Sequence, residues 1–332
     1  MNILVTGAAG FIGSNFVHYW LERHPSDRVV AYDLLTYAGN RANLKDVENE
    51  IAFIEGDISD FELASSVIRD ERIEAIVNFA AESHNSLAVV DPGLFARTNV
   101  LGTQMLLEAA RRRGVRRFHH ISTCEVYGDL PLDSRESFRE ESPYRPRTPY
   151  NASKAAADHY VRAYFETYGL PVTITNCSNN YGPFQFPEKV IPLFVTNALD
   201  DQPLPMYAST QNRREWLHVE DHCRAVELVL VDGREGETYN VGSGLEASIE
   251  EIADLVLGLL DKPAELKAIV PDRPGHDRRY LLDSTKLRRE LDWQPQIGWE
   301  DGLRDTVRWY AENRDWWEPL KERVPVEETS WR

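Results

Sequence analysis

MNILVTGAAGFIGSN, residues 1–15, sets a short apolar run, three glycines and the start of an apolar helix in immediate succession. Ile3, Leu4 and Val5 read as a buried strand, and residues 11–21 as the helix that follows it. Between them Gly7, Gly10 and Gly13 make a GxxGxxG turn, where missing side chains let a pyrophosphate approach the N–H groups and dipole of a helix N-terminus. Phe11 and Ile12, in the first helical turn, are cofactor-binding candidates with the glycines. A second strand at 29–32 ends in Asp33, about 20 residues beyond the turn, where a ribose-binding acid belongs. Such an acid favours NAD and repels the extra phosphate of NADP.

Outward from this start, β-branched runs alternate with helical patterns as far as residue 178, which predicts a Rossmann-type doubly wound parallel sheet. Strands are expected at 3–5, 29–32, 52–55, 75–78, 117–122 and 173–176. Asp57 and Ile58 follow the third strand, where they can meet an adenine edge. Ala80 and Ala81 follow the fourth and are small enough for a cofactor to pass, and Asn99, which opens the next helix on the sheet's edge, is a further cofactor-binding candidate. Beyond Asn180 the pattern breaks at Pro183, Pro187, Pro192, Pro203 and Pro205. Residues 1–178 are therefore expected to be the NAD-binding part, and 179–332 a smaller α/β lobe capping the carboxyl edge of the sheet, where ligands of such sheets bind. Trp293, Trp299, Trp309, Trp316 and Trp317 are expected to pack against that lobe.

Tyr150 and Lys154 turn a nucleotide site into a redox one. Four residues apart on a helix they share a face, so the ammonium favours the phenolate, and Tyr150 becomes a base for a hydroxyl proton. Ser122-Thr123-Cys124-Glu125 follows the fifth strand. Thr123 is placed to hydrogen-bond the same hydroxyl, and Glu125 to take a carbon-bound proton made acidic by a neighbouring ketone.

Composition narrows the classes further. The 332 residues are 42% hydrophobic and 27% charged, as in an ordinary globular protein. A formal net charge of −17 argues against nucleic acid or an anionic membrane as partner. Cys124, Cys177 and Cys223 form no CxxC or Cys/His cluster, so no metal site is expected. With no membrane-length apolar run and a strand at the very start, a cytoplasmic protein is expected.

These motifs, together with LTYAGN (35–40), AAESH (80–84), EVYG (125–128), NNYGP (179–183), PEK (187–189), REW (214–216) and DRPGHD (272–277), resemble the extended short-chain dehydrogenase/reductases, and among them the dTDP-glucose 4,6-dehydratases. The resemblance implies bound NAD and an internal redox cycle on a nucleoside-diphosphate hexose: C4 oxidation with Tyr150 as base, loss of water across C5–C6 with Glu125 as C5 base, and hydride return to C6. It assigns substrate binding to Ser83, His84, Thr123, Asn179, Asn180, Glu188, Lys189, Arg214, Asn240, Arg273 and His276. It also implies a homodimer through the helix at 97–112 and the Tyr150 helix.

Two departures stand at the sugar end. Cys124 occupies the place of the family's Asp, the acid for the departing C6 hydroxyl, and Asn85-Ser86-Leu87-Ala88 replaces Val-Asp-Arg-Ser. Ala208-Ser209-Thr210 further replaces a Gly-rich turn. Thr-Cys-Glu is similar to nucleotide-sugar 5,6-dehydratases, so an exocyclic alkene product and a C4 epimerisation stand as alternatives to 4,6-dehydration. A cofactor sensor would have no use for Tyr150 and Lys154, and a simple dehydrogenase would release NADH.

Overall fold

The computed structural model describes residues 1–272 and 274–324. Its main layer is a seven-stranded, wholly parallel sheet. The six expected strands are present: β1 (Asn2–Thr6), β2 (Arg28–Asp33), β3 (Ile51–Glu55), β4 (Ala75–Asn78), β5 (Arg117–Thr123) and β6 (Val172–Cys177). Their apolar runs are continuous because both faces are covered, with successive side chains alternating between them. Leu4, Val30, Ile76 and Phe118 enter one core, while Ile3, Val5, Val29 and Val77 enter the other.

Across the sheet the order is Thr238–Val241, β6, β5, β4, β1, β2, β3. The order in which strands are added reverses at β1, which pairs with β2 on one side and with β4 on the other. The loops leaving β1 and β4 diverge there, and the opening between them is where a ligand can enter.

The seventh strand corrects the expected division at residue 178. Thr238–Val241 pairs with Ile174–Cys177 of β6, and the helix before it, Val219–Asp232, packs Val219, Cys223, Val226 and Leu230 against Phe16, Val17 and Trp20 of the first helix, Phe11–Arg23. Glu227 of the returning helix receives Tyr19 Oη at 2.5 Å, Arg23 Nε at 2.9 Å and His24 Nε2 at 2.7 Å. The physical reason is coverage, since a parallel sheet is buried on both faces and the returning helix supplies cover beside the first helix.

The remaining lobe holds a three-stranded sheet of Glu246–Ser248, Arg213–His218 and Asn179–Tyr181, and a parallel pair of Leu204–Tyr207 with Lys267–Val270. Its core joins Phe194, Trp216, Ile252, Tyr310 and Trp317, and Trp299 lies edge-on to Tyr181 at 5.1 Å. Trp293 instead packs beside Tyr239 of the seventh strand. No described helix is long and apolar enough to cross a membrane.

Candidate active site

A cleft of about 470 Å³ lies between the carboxyl edge of the large sheet and the lobe. At one end it is lined by Gly7, Gly10, Phe11, Ile12 and Gly13. Gly10 caps the first helix without a side-chain bond, and no acid stands in the first turn, so the leading N–H groups face the cleft. A Cβ on Gly7, whose φ is +66°, would meet Ala80 N at 2.7 Å, and one on Gly13 would meet Gly7 O at 2.1 Å. Turn, helix and the β4 loop are thus packed to a distance only glycine allows.

Asp33 lines the same end, with Oδ2 accepting from Ala9 N at 2.9 Å and Oδ1 from Leu35 N at 2.7 Å. Burial raises its pKa, and the two backbone donors oppose that rise. Asp57, which accepts from Ser59 N at 2.8 Å, lines the wall with Ile58, Ala80 and Ala81. An uncapped helix N-terminus, a glycine floor and an acid at the end of β2 fit the pyrophosphate and ribose of NAD. Asn99 is not part of this wall. Its Oδ1 accepts from Glu82 N at 2.8 Å and its Nδ2 donates to Glu82 O at 3.0 Å and Ser153 Oγ at 2.8 Å. It fastens the β4 loop to the helix Pro149–Tyr168 and does not line the cleft.

Midway, the helix Pro149–Tyr168 brings Tyr150 and Lys154 to the cleft. Thr148 caps it by accepting from Asn151 N at 3.2 Å, Pro149 occupies its first position, and Gly169 ends it at φ 67°. Lys154 Nζ donates to Ile121 O at 2.6 Å. Burial pushes the Tyr150 phenol well above its usual pKa, with Glu125, Cys177 and Cys124 adding to the rise and a hydrogen bond with Thr123 opposing it. Burial alone would keep this phenol protonated, so a base at Tyr150 depends on positive charge beside it.

Thr123 and Glu125 line the cleft with Ser122. Thr123 caps the short turn Cys124–Tyr127 by accepting from Glu125 N at 3.3 Å, and Glu125 Oε2 accepts from Asn85 Nδ2 at 3.3 Å. Cys124 does not share this position. The turn buries all its side chains but that of Glu125, leaving Cys124 1% exposed beside Val126, Tyr127, Ala155, Tyr280 and Leu282. Burial, with Glu125 nearby, lifts its thiol well above the ordinary range.

The other end gathers distant segments. Glu188 accepts from Tyr37 Oη at 2.9 Å and lies 3.2 Å from Lys189 Nζ and 3.3 Å from His84 Nε2. Lys189 also donates to Ser83 O at 2.9 Å, and His84 Nδ1 accepts from Ser86 N and Leu87 N at the start of Asn85–Val90. Asn179 and Asn180 line the cleft, the latter with its Oδ1 2.9 Å from His222 Nδ1. Arg214 lies over Tyr280 at 4.9 Å and donates to Asp277 O at 2.7 Å. His276 stands edge-on to Tyr207 at 4.8 Å.

Asn240 is elsewhere. It lies in the seventh strand, fully buried, with Tyr127 Oη donating to its Oδ1 at 2.9 Å and its Nδ2 donating to Phe138 O at 3.0 Å. A strand of the main sheet holds it among structural partners, away from the cleft. Arg273 lies outside the described residues. The substituted stretch after His84 opens the helix Asn85–Val90: Asn85 and Ser86 line the cleft, whereas Leu87 and Ala88 pack with Phe95. Ser209, in the other substituted turn, donates through N and Oγ to Asp272.

The cleft also contains Glu82, Gln185, Trp216 and Tyr280, none of which was marked as a contact. Glu82 sits inside the AAESH motif and Trp216 inside REW, so position in a motif could have found them. Tyr280 and Gln185 arrive through tertiary folding without a local signal.

A family model described as GDP-mannose 4,6 dehydratase matches residues 4–306. A dTDP-glucose 4,6-dehydratase of Streptomyces niveus is 49% identical over 327 residues, covering 97% of this chain and 96% of the relative. One from Mycobacterium tuberculosis strain H37Rv is 49% identical over 323 residues, covering 97% of each. The crystal structure of DesIV, a dTDP-glucose 4,6-dehydratase from Streptomyces venezuelae solved with NAD and TYD bound, superposes with a TM-score of 0.93 at 51% identity, over 96% of this chain and 100% of that one. With its fold, its cleft and nearly its whole length matched, the chain belongs to the GDP-mannose 4,6 dehydratase family of extended short-chain dehydrogenase/reductases.

Proposed function

We propose that this protein is an NAD-dependent dTDP-glucose 4,6-dehydratase, converting the sugar to its 4-keto-6-deoxy form with loss of one water. The observation that carries the reading is one cleft holding the glycine cradle, the Tyr150–Lys154–Thr123–Glu125 group and the Glu188–Lys189–Arg214 group. Gly7, Gly10, Phe11, Ile12, Gly13, Asp33, Asp57, Ile58, Ala80 and Ala81 would hold NAD, which takes a hydride at C4 and returns it at C6. Tyr150 receives the C4 hydroxyl proton, and Thr123 fixes that hydroxyl. Once C4 is a ketone the C5 proton is acidic, and Glu125, oriented by Asn85, removes it and passes it to the departing C6 hydroxyl, which leaves as water; a proton from solvent, replacing the one Tyr150 took up, reaches C5 as the hydride returns to C6. Lys189 and Arg214 supply local positive charge for the diphosphate in a protein of net charge −17.

The 5,6-dehydratase and epimerase alternatives rested on Cys124 standing in place of the family's acid; what favours 4,6-dehydration over both is likeness over 97% of the chain, at 49% identity, to dTDP-glucose 4,6-dehydratases. A cytoplasmic homodimer is the proposed form, through helices whose flanks expose Leu101 and Tyr160, 45% and 44% accessible.

The test is incubation with dTDP-glucose, followed by mass spectrometry and carbonyl detection. Loss of one water with a new 4-keto group is expected, and Tyr150→Phe should lower turnover by at least 100-fold while retaining NAD. Unchanged mass with the wild-type protein, or full turnover by the variant, overturns the substrate or the base respectively.

A further inference from the structure

Tyr150, Lys154, Asp158 and Arg162 recur every four residues along the helix Pro149–Tyr168, so phenol, ammonium, carboxylate and guanidinium follow one another on a single face. The first two line the cleft, whereas Asp158 is fully buried behind them. Ser122 Oγ and Tyr144 Oη each donate to Asp158 Oδ2 at 2.8 Å. His120 Nε2, on β5, stands 3.6 Å from Oδ1. Asn78 Nδ2 donates to His120 Nδ1 at 3.2 Å, and Thr6 Oγ1 donates to Asn78 Oδ1 at 2.6 Å, which leaves the imidazole proton on Nε2, facing the carboxylate. Arg162 Nη2 donates to Tyr144 Oη at 2.7 Å. Both hydrogen bonds to Asp158 Oδ2 come from donors, Oδ1 makes none among the described residues, and the Arg162 guanidinium stands behind Tyr144, surroundings that favour a carboxylate over a carboxylic acid. Burial raises its pKa, and Arg162, Lys154, Ser122 and Tyr144 oppose that rise.

Lys154 needs such a partner. Its ammonium donates to a neutral carbonyl, Ile121 O, and burial lowers its pKa, with Asp158 first and Cys177 of β6 second in opposing the fall. The other charged or titratable groups near the pair are Tyr150 on the same helix and Glu125, which share the cleft with Lys154, Tyr127 on the turn after β5, whose phenol burial raises, and His120, which burial holds well below its usual pKa and so keeps neutral.

Resting on the catalytic reading of Tyr150 and Lys154, we propose that Asp158 is a positioning residue for the reaction: its buried carboxylate keeps Lys154 charged, and through Lys154 keeps Tyr150 able to act as a base. It touches neither the cleft nor the substrate.

The sign of the effect follows from linkage. Without the carboxylate a buried Lys154 sheds its proton more readily, and a phenolate lacking its counter-charge forms only at higher pH. In NAD-loaded Asp158→Asn the acid limb of the kcat profile should move up by about one pH unit. The tyrosinate absorbance of Tyr150, read as holoenzyme minus the Tyr150→Phe holoenzyme, should move with it. Asp158→Glu retains the charge and should hold the limb near wild type even where its thermal midpoint falls. Tyr144→Phe removes one donor from the carboxylate and should shift the limb the same way by less.

Superimposed wild-type and Asp158→Asn titrations, or a Glu variant shifted as far as the Asn variant, would overturn the proposal. If Asp158→Asn does not fold, an unmoved titration in Tyr144→Phe overturns it equally. The absorbance titration needs no turnover, so failure of the dehydratase reading would appear separately, as wild-type protein that ionises Tyr150 but leaves dTDP-glucose unchanged.

Discussion

Cys124 and Glu125 are sequence neighbours with opposite fates. The turn Cys124–Tyr127 directs Glu125 to the cleft and Cys124 into an apolar cluster, where burial holds the thiol proton. A group with a tightly held proton and no access to the reacting sugar is a poor acid. Cys124→Ala should therefore keep the product and leave kcat within about threefold. Its cost should fall on stability, at about 1 kcal/mol for the small void left behind. Urea melts and product analysis check both, and a variant that stalls before water loss would return Cys124 to the mechanism. The substitution was visible in the sequence, but the direction of the side chain was not, because it depends on turn geometry and on Tyr280 and Leu282 packing from far along the chain.

At the scale of elements, the strand–turn–helix at the N-terminus was legible because each part carries its own local signal: β-branched residues, glycines, then helical periodicity. The structure adds the distances that make the glycines necessary. Gly13→Ala would place a methyl 2.1 Å from Gly7 O, so the first helix must shift away from the turn. NAD affinity should fall at least tenfold, about 1.4 kcal/mol, as read by cofactor retention. Gly258, in the helix Ile249–Leu259, has open space around its Cβ position. Gly258→Ala should instead stabilise by up to about 1 kcal/mol, which separates a packing effect from a general intolerance of alanine. Asn99 illustrates the other outcome. Its place near the sheet edge suggested a cofactor contact, but its three hydrogen bonds are spent on joining the β4 loop to Ser153.

For the whole molecule, the return of Val219–Asp232 and Thr238–Val241 to the large sheet makes the first 178 residues incomplete. Alone they would leave β6 without its outer partner and uncover Phe16, Val17 and Trp20. A fragment of residues 1–178 should be insoluble or lack a cooperative thermal transition by circular dichroism, whereas the full chain should melt with its sheet and returning helix together. A soluble fragment with a sharp transition would show that the seventh strand is dispensable. The sequence by itself determined the six strands, the glycine turn, Asp33 and the spacing of Tyr150 and Lys154, because hydrophobic period, conformational freedom and helical repeat act within a few residues. Only the tertiary structure decided that Thr238–Val241 completes the sheet, that Asn240 and Cys124 face away from the cleft, and that Tyr37, His84, Glu188 and Lys189 meet. Those outcomes depend on which surfaces remain to be buried once distant segments have packed, and no local pattern encodes that.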